Sequence, residues 1–365
     1  MTSSVASATL DVGPPASGWI VSPHYDLLFF SGSCLVPLAI WAAFEAGWLT
    51  GVAVFVIFQL AFNLPHNFQT WTLTVLDRGD RARNGRTYLT AAVAIALVLT
   101  LPLIFSPEGL FPWVRDAVVY WGYYHLVRQH YGLQRLYERR AALAGAPVSP
   151  LESKLYARFI DVVSYGPLLI RFRDRELMTI HAPGRDVWVR HPLLPEAAWK
   201  AVAAVWLLAI LAAAVHHAVL LARGRRDLLP RALLLCSITL AFGLATLACG
   251  NVIVAIAIVT TFHNLQYLGL VWFHNTTRAG LGEAGDEPRG ENAPVDWLRS
   301  GRRGLYAAGT YGYGLALLAP IAIFPAVPFA ELPLTFVVAL HYYVDSRAWR
   351  FQDRPHLARW LRLRR

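Results

Sequence analysis

Residues 260–275 read TTFHNLQYLGLVWFHN. The stretch is apolar enough to lie in a bilayer, yet it holds His263, Asn264, Gln266, Tyr267 and His274. At about 100° per residue, His263 and His274 return to nearly one face of a helix. Gln266, Tyr267 and Leu270 lie along the stripe between them. Polar groups able to bind metal cost free energy at that depth, and where they occur they usually mark function. Four other segments of the chain carry histidine in a comparable position.

Composition sets the class. Of 365 residues 56% are hydrophobic and only 15% charged, against roughly 25% charged in an ordinary soluble domain. Mean hydropathy is +0.42. Several apolar runs exceed the roughly 18 residues that a spanning helix needs. They do not alternate as barrel strands would. The expectation is an all-α, polytopic transmembrane helix bundle. The net charge of +10 admits nucleic-acid binding in principle. Most of the arginines, however, sit in short loops beside helix ends, as the positive-inside rule predicts, so no nucleic-acid partner is expected. Cys34, Cys236 and Cys249 show no CxxC spacing, which argues against a disulfide framework or a thiolate metal site. No basic n-region of a signal peptide precedes the first apolar run.

Residues 1–25 read as a loose tail, and 26–350 as the transmembrane domain. Spans are expected at about 26–47, 51–77, 87–105, 112–140, 152–171, 198–222, 229–248, 250–277, 304–325 and 332–350. The arginine-rich DRGDRARNGR reads as a loop after the second span. A long polar loop covers 172–197 and a cytoplasmic loop 278–303. The tail 351–365, with RPHLARWLRLRR, reads as a basic amphipathic segment for the membrane surface. Ten spans with both termini cytoplasmic, in the inner (plasma) membrane, fit the arginine distribution.

In that topology every even-numbered span carries histidine in its middle or inner half. These are His66, His125, His130, His216, His217, His263, His274 and His341; odd spans carry none. PHNFQTW and FHNLQYL share H-N-x-Q followed by an aromatic residue. HYYVD places His341 and Asp345 at i, i+4 on one face. Spans 1–4 and 7–10 are therefore candidates for a distant parallel repeat. Imidazole suits iron, zinc and copper, and a carboxylate among histidines is the ligand chemistry of mononuclear non-haem iron(II). The metal-ligand candidates are His66, His125, His130, His263, His341 and Asp345. His130 lies about 140° round the helix from His125, so the two are not expected to face one ion together. His216 and His217 point about 100° apart, so at most one could join. Asn67, Gln69, Gln129, Asn264 and Gln266 are candidates to steady the ligands or a cofactor. Tyr124, Arg128 and Tyr267 are candidate catalytic groups that hydrogen-bond substrate. Each histidine also has a plainer reading, a hydrogen bond to a neighbouring helix. His24, His181, His191 and His356 read as solvated.

The layer of histidines toward the cytoplasmic side, with HLVRQH, resembles the integral-membrane histidine-motif oxygenases, the desaturases, hydroxylases and alkane monooxygenases. The HxxxH and HxxHH boxes of those enzymes are absent here. HYYVD is similar to the H-x-x-x-D pattern of the Brp/Blh-type membrane carotenoid dioxygenases. Both resemblances imply iron and a hydrophobic substrate. The expected function is a metal-dependent, non-haem iron oxidoreductase or oxygenase acting on a fatty acyl chain, terpenoid or carotenoid. Its expected partners are membrane lipids, that hydrophobic small molecule and an electron-donating redox protein. Zinc-activated lipid hydrolysis and non-covalent haem are lesser alternatives. A multi-pass transporter of metal ions or protons is the alternative from another class.

Overall fold

The computed structural model describes residues 18–182, 185–281, 290–323, 332–351, 354 and 356–363. Most of the expected loose tail, parts of the 278–303 loop and parts of the C-terminal tail lie outside these residues. The described chain is a helical bundle. Six of its helices are long and apolar enough to cross a membrane.

Helix α1 spans Pro23–Glu45 and α2 spans Gly51–Leu73. Neither is uniform. In α1 a π turn at Leu27–Ser31 is followed by a 3-10 turn at Gly32–Cys34. In α2 a π turn occupies Phe58–Asn63, directly before Pro65. Proline lacks an N–H and its ring displaces the carbonyl four residues earlier, so the helix before it must reshape. Thr50 caps α2 by accepting from the Ala53 amide at 3.1 Å.

Helix α3 spans Arg78–Phe105, so the arginine-rich segment expected as a loop is helical. Asp77 caps it, its carboxylate accepting from the Asp80 amide at 2.7 Å. An acid cap followed by arginines, which are good helix formers, starts the helix nine residues early. The second span correspondingly ends at Leu73 rather than near 77.

Helices α4 (Phe111–Leu143), α5 (Pro150–Arg171), α6 (Glu196–Ala222), α7 (Leu229–Leu247) and α8 (Val252–Leu281) follow. The short α9 (Ala293–Arg299) leads to α10 (Arg303–Ile323), α11 (Leu332–Ala348) and the short α12 (His356–Trp360). The polar segment before α6 is not all loop. It forms an antiparallel hairpin, β1 (Thr179–Ala182) with β2 (Arg185–Trp188), Thr179 facing Trp188.

Helix α8 is the hub. It packs against α1, α2, α4, α7, α9 and α12. Tyr25 of α1 donates to the Gly269 carbonyl at 2.7 Å. A Cβ on Gly269 would lie 2.6 Å from Phe29, so only glycine allows that approach. Helix α6 is the opposite case: none of its residues is buried, as expected of a helix that faces lipid.

The C-terminal segment folds into the bundle instead of lying on a membrane surface. Leu357, Trp360, Leu361 and Leu363 are buried. Arg140 donates to the carbonyls of Leu361 and Arg362, both at 2.9 Å. Arg354 binds Asp80 at 2.5 Å and the Tyr88 hydroxyl at 2.9 Å. Nearby, Arg278 binds Asp77 at 2.5 Å. One end of the bundle is thus tied together by buried ion pairs.

Candidate metal centre

Three helices meet at the histidines. His66 follows Pro65 on α2, His125 sits midway along α4, and His341 is on α11. One ring nitrogen from each lies within 4.8 Å of the other two. The Nε2 atoms of His66 and His341 are 2.8 Å apart. Nitrogens bound to one zinc-like ion at about 2.0–2.1 Å can be separated by up to about 4.2 Å. Side-chain shifts of a few tenths of an ångström close the difference. His263 of α8 completes the cluster, its ring 4.8 Å from that of His66 and 5.0 Å from that of His125.

All four rings are buried. His66 Nδ1, His125 Nε2, His341 Nδ1 and both nitrogens of His263 lack a hydrogen-bond partner. Buried polar atoms are seldom left so, and each omission calls for a physical reason such as an ion. A neutral imidazole offers one lone pair to a metal, so the donor set fits a divalent ion.

Asp345 adds a carboxylate. Its Oδ2 lies 3.9 Å from His125 Nε2, and its Oδ1 accepts from the Tyr267 hydroxyl. Thr70, whose Oγ1 is 3.4 Å from that carboxylate oxygen, donates to the Tyr267 hydroxyl at 2.7 Å. The Tyr267 ring sits edge-on to His66 at 4.3 Å. Asp345 therefore turns to the histidines rather than to Arg347 or Arg350. The sequence reading missed Thr70, although it lies at i+4 from His66 on the same face.

The other candidates are placed as follows. His130 is buried but turned away, against Phe242 and Phe262, with its ring 6.5 Å from His263. His274 does not reach the cluster; it lies between Trp349 and Trp360. Neither His216 nor His217 joins, since both Nδ1 atoms meet the Tyr156 hydroxyl. His191, read as solvated, is buried and stacks on Phe172 at 4.5 Å. His24 is exposed, and the side chains of His181 and His356 lie outside the described residues.

The amides are mostly engaged elsewhere. Gln69 accepts from Tyr306, Gln266 donates to the Phe30 carbonyl at 2.8 Å, and Gln129 donates to the His263 carbonyl at 2.9 Å. Asn67 donates to the Asn63 carbonyl at 2.7 Å. Asn264 alone leaves both side-chain polar atoms unpartnered. Tyr124 is exposed but lines a cavity with Arg128, whose guanidinium lies over the Tyr131 ring at 4.5 Å.

Two cavities reach the cluster. The larger, about 830 Å³, is lined by His125, Tyr267 and Asp345 at its inner end. The smaller, about 180 Å³, is lined by His66, His263, Asn264 and His341, with apolar residues such as Val119, Leu168 and Ile256 beyond. His125 and Tyr342 line both. Tyr342 owes its place to Gly122, where a Cβ would lie 2.6 Å from the tyrosine hydroxyl. Comparison of the chain with protein-family models, curated proteins and solved structures finds no match.

Proposed function

We propose that this protein is an integral-membrane oxidoreductase of the non-haem iron type that acts on a lipid-soluble substrate. The observation that carries the proposal is the convergence of His66, His125 and His341 at one buried point beside Asp345. An all-nitrogen-and-carboxylate donor set without thiolate suits non-haem iron, whose mononuclear sites combine histidine with one carboxylate. His66, His125 and His341 would hold the ion, with His263 and Asp345 as the adjacent donors. Iron there would supply one-electron redox chemistry and activate dioxygen.

The chain's own residues do the rest. Tyr267 fixes the Asp345 carboxylate through a hydrogen bond and is itself held by Thr70, which sets the orientation of a ligand as partner groups around metal sites do. Tyr342 and Trp349 add aromatic surface to the cavity wall near the histidines, lowering the water around the reacting atoms. The cavity is large enough for a small lipid-like molecule, since such sites occupy about 300–1,000 Å³.

Ten crossings are part of the proposal. Helices α4, α5, α10 and α11 are not among the six most apolar, but they carry the polar groups that the interior needs. Buried helices can tolerate such groups because they face other helices and not lipid. The basic ends then place both termini in the cytoplasm, in the inner (plasma) membrane. The paired motifs also meet in space. The rings of His66 and His263 meet edge-on at 4.8 Å, and those of His125 and His341 at 5.0 Å. A repeat relating α2 to α8 and α4 to α11 is proposed on the shared H-N-x-Q motif.

Metal analysis of the purified full chain tests the proposal. Stoichiometric iron with no Soret band is the expected result, lost on joint His66→Ala and His341→Ala substitution. A Soret band would move the centre to haem, and stoichiometric zinc to hydrolysis. A folded chain that takes up no metal would end the enzyme proposal.

A further inference from the structure

The larger cavity carries charge that a metal centre has no use for. Arg128, Arg135 and Arg139 follow His125 along one stripe of α4 and line the cavity with it. At about 1.5 Å per residue the stripe extends about 21 Å from His125 to Arg139. Arg350, two residues beyond α11, lines the same cavity. Arg135 is paired with Glu138 at 2.9 Å. Arg128, Arg139 and Arg350 are exposed at the cavity and have no carboxylate partner among the described residues. Arg128 lies one helical turn from His125, and Arg139 and Arg350 lie farther out, while Leu136, Leu270 and Trp349 add apolar lining. The cavity thus has a metal-binding end, an apolar wall and a cationic outer part at Arg139 and Arg350.

We propose that this cavity binds the substrate as a single-chain amphiphile with an anionic head. A carboxylate or phosphate head is held at the outer part by Arg139 and Arg350, and the chain runs past Leu136, Leu270 and Trp349 and past Arg128 toward His125. Guanidinium groups suit both heads because their donors match two oxygens at once. The volume suits one chain and its head, and the stripe is long enough to separate the head from the reacting carbon. This inference rests on the metal-centre reading for what happens at the inner end, and on the arginines alone for the binding.

Equilibrium binding of radiolabelled palmitate to the full chain in neutral-lipid nanodiscs tests it. Hexadecyl phosphate, hexadecanol and inorganic phosphate serve as competitors. Palmitate and hexadecyl phosphate should compete with each other, hexadecanol should bind at least about tenfold more weakly, and inorganic phosphate should not compete. Joint Arg128→Gln, Arg139→Gln and Arg350→Gln substitution should weaken palmitate about tenfold while leaving metal content unchanged. Gly132 also lines the cavity, and a side chain there meets nothing within 4 Å. Gly132→Trp should therefore fill the space and weaken acid and alcohol alike, with an unchanged melting temperature.

Equal affinity for palmitate and hexadecanol, or full affinity in the triple variant, would overturn the proposal. So would displacement of palmitate by anionic diacyl lipid in the disc as readily as by hexadecyl phosphate, which would assign the arginines to the bilayer. His66→Ala keeps the two questions apart. It should lose the metal and keep palmitate; an unaltered chain that binds palmitate but takes up no metal sinks only the metal reading, and intact metal with no head-group preference sinks only this one.

Discussion

A histidine in a bilayer interior has to be satisfied by a partner, and the four clustered here leave several nitrogens without one. His341→Ala should abolish stoichiometric metal binding, whereas His274→Ala, which removes a ring packed between tryptophans, should leave it intact. Elemental analysis of the two purified variants decides the matter. Tyr267→Phe deletes one of the hydrogen bonds that hold Asp345. Metal affinity should fall by about tenfold or more, read by competition with a chelator. Gly122→Ala would put a methyl against the Tyr342 hydroxyl and should cost about 1–3 kcal/mol, read as a lower melting temperature. The convergence of His66, His125 and His341 was legible in the sequence because separate spans carry histidine at a comparable depth. The amides were not, since Gln69 and Gln266 spend their hydrogen bonds on Tyr306 and the Phe30 carbonyl, far away in the chain. Spacing within a helix carries no record of what stands opposite.

Helix boundaries were legible wherever apolar runs ended in glycine, proline or arginine. They failed where local chemistry competed with composition. The segment after α2 looked like a loop because it is charged, yet an aspartate cap and helix-forming arginines make it the first turns of α3. The same cap anchors a testable pair. Burial alone would raise the Asp77 carboxyl, but Arg278 and the N–H donors of Asp80 and Asn292 outweigh it and hold the group below the usual carboxylate range. The stability this provides is fully present above the unfolded value of about 3.9 and is lost as pH falls through the lower folded value. Asp77→Asn should lower stability by about 3 kcal/mol at neutral pH and should flatten the acid limb of a melting-temperature profile. An unchanged acid limb would exclude Asp77 as its source. The tail was misread for a related reason. Its arginines suggested a membrane surface, but Arg354 faces Asp80 and the Leu73 carbonyl inside the bundle.

The whole molecule was legible as a class and obscure as a packing order. A hydropathy pattern identifies helices that touch lipid, such as α6, better than those that line the interior, such as α4 and α11. Interior helices can be polar because their neighbours satisfy them, and no window of sequence shows those neighbours. The proposed ten-span topology has a direct check. Single cysteines at position 108, before α4, and at position 145, after it, should react with an impermeant maleimide from opposite faces of sealed vesicles. Labelling from one face would remove α4 as a crossing. Tyr342 and His125 line both chambers. If each chamber admits its own visitor, neither has to wait for the other to leave. Steady-state traffic should then follow no compulsory sequence, and a small apolar solute lodged on one side should slow turnover without raising the concentration of amphiphile needed on the other.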